Sequence, residues 1–204
     1  MASILPFDEI NAMIRQEFSE ISENSDAKET ARRIRETLLD YLIFAYRLGV
    51  QRTAGDLGVD IEDDIDEMYE IIFCRIGGET FEDRVDRWVE EEAEGRLGVL
   101  AESEAHRVCE SAGYSSAQRA VRDYGITVGK RWDTMQDDRV RDTHVYLQGM
   151  TVPLGEEFYT YDGDHAQYPG GFTLPENNVN CRCSTQYVNL SSTGISVAIG
   201  QGSP

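Results

Sequence analysis

Apolar residues return every three or four positions through most of the first 125 residues, after which the period changes. Phe7, Ile10, Ile14, Phe18 and Ile21 predict one helix, with acids and amides between them. Capping residues at Ser22–Asp26 interrupt the pattern. Ile34, Leu38, Leu42 and Ala45 then predict a second helix to about Leu48, with Gly49 placed as its C-terminal glycine. The two helices can form a hairpin. Gln51–Asp60 holds two glycines and little periodicity, and reads as a connector.

Ile61, Ile65, Met68 and Ile72 mark a third helix, ending near Gly77-Gly78. Thr80 followed by Asp83 resembles a capping box, with Asp in the place usual for Glu. Behind it, Phe81, Val85, Trp88, Val89, Ala93, Leu97, Leu100, Ala105 and Val108 keep the helical period. Gly95 and Gly98 weaken that run, so one helix and two both fit. A short helix from Ser116 to Tyr124 ends at Gly125, with Ile126 closing over it.

From Ile126 to Asp133 apolar and polar positions alternate, which predicts a strand. Asp137 is placed to cap a helical turn carrying Val140, His144 and Leu147, and Gly149 ends that turn. Val152–Phe158 predicts a hairpin or two strand fragments around Gly155, and Thr185–Val188 a last strand. Helices first and strands later favour an α+β fold: an N-terminal helical region followed by a small, mixed, loop-rich α+β domain. The divisions expected are a helical hairpin or docking region at 1–60, an acidic helical region at 61–125, an α+β domain at 126–190 and a flexible tail at 191–204.

The formal net charge is −19, and Asp56–Glu110 concentrates it, with nineteen Asp and Glu against five Arg. Such a surface repels phosphate backbones and anionic lipid headgroups. It reads as a solvated helical face, or as one that avoids packed nucleic acid or meets a basic partner. The Met1–Phe7 start lacks the basic and apolar stretches of a signal peptide, and no window has the length of a membrane span. Cys74, Cys109, Cys181 and Cys183 are too few and scattered for a secreted disulfide framework, so a reducing cytosol is expected for assembly.

Chemistry-bearing residues crowd into Lys130–Cys183. Cys181 and Cys183 are one residue apart, which in extended chain puts both sulfurs on one side, about 7 Å apart along the chain. With His144, and His165, Asp164 or water as a fourth ligand, they suit Zn(II), although structural zinc knuckles prefer wider spacing. The alternative is a hydrogen-bonded histidine beside small buried thiols. A Cys181–Cys183 disulfide would be strained and ranks last. Cys74 and Cys109 lie on apolar helix faces and read as core. Asp137, Arg139 and Arg141 suit carboxylate–guanidinium ties, with Glu104 available to Arg139 or Arg141. No GxSxG, HExxH, Walker or Rossmann pattern is present, nor the His-x-Glu and Cys-x-x-Cys pair of zinc deaminases.

Lys130-x-Trp132, Asp137-x-Arg139-Val140-Arg141-x-x-His144, Leu147-x-Gly149, Phe158, Pro169 and Asn180-Cys181-Arg182-Cys183 together resemble the phage Mu F-like domain of the phage head morphogenesis family. Glu102–Arg107 is similar to the helix preceding that domain, with Ser103 where Thr is usual, and Gly78–Glu82 to its helix opening. The resemblance covers residues 76–188. It implies a structural minor head protein, not an enzyme, present in few copies inside the virion and in the host cytoplasm during assembly. The implied partners are portal, capsid or scaffold proteins, with packaged DNA nearby but no sequence-specific binding. It also implies shape-holding roles for Glu104, Lys130, Trp132, Asp137, Arg139, Arg141, His144, Asn180 and Arg182. Some relatives carry a toxin domain after the Asn-Cys-Arg-Cys motif; the stretch after Cys183 here is expected to be too short for one. The competing reading is a small zinc-dependent hydrolase or nuclease built around His144, Cys181 and Cys183.

Overall fold

The helical period that begins at Ala31 does not stop where a glycine first invites it to. In a computed structural model that describes residue 16 and residues 27–91 and 97–191, one helix, α1, runs from Ala27 to Leu57. The expected first helix, Phe7–Ile21, and the tail beyond Ser191 lie outside the described residues. Ile34, Leu38 and Leu42 are fully buried along α1, each contributing roughly 1.5–3 kcal/mol by leaving water.

Gly49 is therefore interior to α1 rather than its C-cap, and the expected connector at Gln51–Asp60 is helical as far as Leu57. The reason is tertiary. A Cβ on Gly49 would stand 2.1 Å from the Cys109 carbonyl oxygen of the helix packed alongside. The glycine allows two backbones to touch. The facing helix, α4, spans Leu97–Tyr124 and turns small residues toward α1: Ala105, Cys109, Ala112 and Ala117 are all buried. The segment Ser116–Tyr124, expected as a separate helix, continues α4, which ends at Gly125 with φ +63° and its N–H on the Val121 carbonyl.

Two shorter helices cover this pair. α2, Ile65–Phe73, is capped by Asp64, whose carboxylate accepts from the Glu67 N–H. It ends before the glycines, and Gly77 and Gly78 instead make a left-handed turn between Ile76 and Glu79. α3, Phe81–Glu90, opens with the expected capping box between Thr80 and Asp83 and buries Phe81, Val85 and Trp88 in the helical core. Whether the apolar run breaks between α3 and α4 is a question for residues 92–96, outside the described set.

Past α4 the alternation of Ile126–Asp133 produces β1, Val128–Asp133. It is the centre of a three-stranded antiparallel sheet, flanked by β2, Thr151–Pro153, and by β5, Ser184–Asn189. β3, Phe158–Tyr159, and β4, His165–Ala166, form a separate two-stranded ribbon, so Val152–Phe158 makes two strand fragments in different sheets. Two four-residue helices complete the domain: α5, Asp142–Val145, and α6, Pro175–Asn178. Asp137 caps a turn ahead of α5 through the Arg139 N–H, but α5 itself begins after Arg141. The result is an α+β fold in which β5 lies against α1 and α4.

Candidate functional site

Alternation along β1 puts Lys130 and Trp132 on the same face, and both are fully buried. Trp132 is the hub of a second, smaller core. Its ring meets Phe158 edge-on at 5.1 Å and His144 edge-on at 5.3 Å, while His144 stacks on Phe172 at 5.2 Å. Clamped by these rings, His144 on α5 turns Nδ1 toward two sulfurs, 3.7 Å from Cys181 Sγ and 3.6 Å from Cys183 Sγ. All three residues are buried, and all four cysteines are free thiols.

Backbone geometry delivers the sulfurs. Asn180 sits at φ +58°, a left-handed conformation that Asn tolerates better than most residues, and its N–H is held by Ser103 Oγ on α4. The chain then extends, and residues 181 and 183 face the same way while Arg182 points outward. Across Arg182, two parallel hydrogen bonds reach Asp137, at 2.7 and 2.9 Å. This guanidinium fork holds the Asp137 carboxyl well below the usual range, at about 2. Between the thiols one proton is contested: the hydrogen bond from Cys183 favours thiolate on Cys181, and the same bond pushes the Cys183 thiol up.

Arg141 anchors the other side by donating to the carbonyls of Asn177 and Val179, around α6. Arg139, by contrast, is exposed and only grazes Asp137 at 3.4 Å. Glu104 meets neither of them. It is buried between Arg84, at 3.2 Å, and Arg107, at 2.9 Å, and so joins α3 to α4 inside the helical region. The expected Glu104 tie fails because its side chain leaves α4 on the face toward α3.

Asp164 and His165 also stay away from the sulfurs. The Asp164 carboxylate accepts from the N–H groups of His165, Thr173 and Leu174 and from the Asn177 side chain. Burial raises its pKa, and those four donors more than reverse the effect. His165 pairs with Glu157 at 2.9 Å. Neither can serve as the fourth ligand suggested by the sequence.

Among the described residues Lys130 meets no carboxylate in an ion pair to balance its burial. Its ammonium donates to the carbonyl and side-chain oxygens of Gln167 and lies over the rings of Tyr114 and Phe158 at 5.0 and 5.1 Å. Desolvation lowers its pKa to about 7.

Three contacts that fix this loop domain on the helices escaped the sequence reading. His106 on α4 bonds the Cys183 carbonyl through Nε2 at 2.7 Å. Glu110, almost fully buried, takes Arg52 of α1 at 2.6 Å on one oxygen and the Thr185 N–H of β5 at 2.9 Å on the other. Burial works against the Arg52 charge, and the Glu110 carboxylate overcomes it, raising the pKa. Asp56 of α1 accepts from the Tyr187 N–H. Only a polar residue on an apolar helix face hinted at Glu110, and its separation of 75 residues from Thr185 gave no hint of that partner.

Rings, forked guanidinium contacts and a helix-borne carboxylate all act here to hold irregular chain in place, which makes this a small, cross-tied α+β domain on a helical base. The chain belongs to the Phage Mu protein F like family, whose model matches residues 54–186. It is 36% identical over 107 residues to the NAD(+)--arginine ADP-ribosyltransferase EFV of Enterococcus faecalis, covering 50% of this chain and 21% of that protein. It is 31% identical over 90 residues to the Minor head protein GP7 of Bacillus phage SPP1, covering 44% of this chain and 29% of that one. The chain thus spans less than a third of either curated relative. No solved structure matches.

Proposed function

We propose that this chain acts as a structural minor head protein of a tailed bacteriophage or prophage. It is bound in few copies to the portal or the capsid interior, and it works in head morphogenesis and genome packaging or delivery. The observation that carries the reading is the family match over residues 54–186, which spans the cross-tied motif and the helices beneath it. The head-protein name of one relative points the same way.

A transferase-named relative matches half of this chain over a fifth of its own length, which fits a common module better than a carrier of one reaction. The site supports this. The hollow beside His144, Cys181 and Cys183 has a volume of about 10 Å³, whereas substrate-enclosing clefts hold roughly 300–1,000 Å³. The Asp137 carboxylate is engaged by Arg182, which disfavours a role as a base. No helix among the described residues is long and apolar enough to cross a membrane. The acidic helices face the packaged DNA without adhering to it, and residues 1–60 supply the docking region.

Deleting the gene from a phage that carries it is the test. Malformed or poorly infectious particles are expected, and tagged protein should co-purify with portal or procapsid. Normal yields of fully infectious particles without the gene would make the reading wrong.

A further inference from the structure

We propose that Nδ1 of His144 and the sulfurs of Cys181 and Cys183 bind one zinc ion, with a water molecule at the fourth position. The role of the ion is to lock the loop domain. The proposal does not depend on the phage-head reading.

The distances carry it. A tetrahedral zinc with Zn–N of about 2.05 Å and Zn–S of about 2.3 Å separates nitrogen from sulfur by about 3.6 Å. The separations here are 3.7 Å to Cys181 and 3.6 Å to Cys183. A hydrogen bond explains only half of this arrangement. Nδ1 has a single lone pair and can accept from one thiol, yet both sulfurs stand at the same distance from it. The ring orientation is imposed by Trp132 and Phe172, and the sulfurs are aimed by the Asn180 bend, so the three donors converge without needing each other.

The donor set selects the metal. Two thiolates and an imidazole are soft to borderline ligands suited to zinc, and the absence of a carboxylate among them disfavours calcium and magnesium. Two thiolates also cancel the charge of a divalent ion, which lets the complex sit among buried rings. Binding releases up to two protons, one from each thiol, to solvent. The adjoining hollow, lined by Met135, Arg139, Val140 and Arg141, has a volume of about 10 Å³, which is room for about one water.

Position gives the ion its purpose. His144 and Cys181 are 37 residues apart, and between them the strands are two or three residues long. So little regular structure leaves this segment with few strand-ladder hydrogen bonds to close it, and a metal joining its ends supplies the closure. Binding energy becomes folding energy in such a site.

The full chain, purified from zinc-supplemented cells, is expected to carry one zinc per chain by elemental analysis. Exchange with cobalt(II) should give intense visible bands of a tetrahedral site together with thiolate-to-cobalt charge transfer. Both signals should vanish in a Cys181→Ser/Cys183→Ser variant and persist in Cys74→Ser. Because the ligand variant can fail to fold, the wild-type chain is also titrated with a chelator, and its thermal midpoint should fall as metal leaves. A folded wild-type chain that takes up no zinc overturns the proposal. So does a cobalt spectrum without thiolate bands, zinc retained in the double variant, or a midpoint indifferent to metal.

Discussion

Asp137 and Arg182, 45 residues apart, meet through two parallel hydrogen bonds at the mouth of the cysteine pair. The pair joins the turn before α5 to the extended segment that presents the sulfurs, and it is what holds the Asp137 carboxyl at about 2. A carboxyl depressed in the folded state stabilises above its unfolded pKa, and that contribution disappears as pH falls through the folded value. Asp137→Asn should therefore lower the thermal midpoint at pH 7. The gap between variant and wild type should close as the pH falls from about 4 toward 2, followed by calorimetry.

Lys130 gives the opposite sign. Its folded pKa is about 7 against 10.5 for the free side chain, so between those values the unfolded chain binds more protons. Stability should rise with pH across that window, by up to roughly 1.4 kcal/mol per unit. The difference between wild type and Lys130→Met, measured by urea denaturation at several pH values, should show this slope. A parallel pH dependence in the two proteins would show that the ammonium is not desolvated.

Glu110 joins three elements at one carboxylate, with Arg52 and the Thr185 N–H as its partners. Glu110→Ala leaves a largely buried guanidinium without its counter-charge, at a cost of roughly 3 kcal/mol or more. Replacing both Arg52 and Glu110 with Met should recover much of that loss, as paired apolar replacements often do. Equilibrium unfolding of the three variants tests the order.

Gly49 and Gly55 lie on the same helix and should respond in opposite ways. A Cβ at Gly49 meets the Cys109 carbonyl at 2.1 Å, so Gly49→Ala must push α1 and α4 apart and should cost more than about 2 kcal/mol. Nothing lies within 4 Å of a Cβ at Gly55, and Gly55→Ala should stabilise by about 0.5–1 kcal/mol. Equal effects in denaturation would place the helices farther apart than found.

Some of this was legible locally. The Thr80–Asp83 box was readable because both halves lie within one turn. The β1 strand was readable because its alternation stands in six consecutive residues. The convergence of His144, Cys181 and Cys183 was readable as a set of ligand types, but their separations were not. Gly49 could not be distinguished from a helix cap, since a glycine that ends a helix and one that admits a neighbour look alike in one dimension. Glu104 was matched to the wrong arginines for a related reason: charge tells which residues can pair, not which face of α4 looks toward which helix.

The sequence by itself determined the α+β order, the β1 strand and the residue types able to cross-tie Lys130–Cys183, because periodicity and turn chemistry are properties of neighbouring residues. Tertiary structure alone decided that α1 continues past Gly49, that Arg182 takes Asp137, and that Glu110 and His106 bolt the loop domain to α4. Those outcomes depend on the distance and angle between packed elements, which no local pattern encodes.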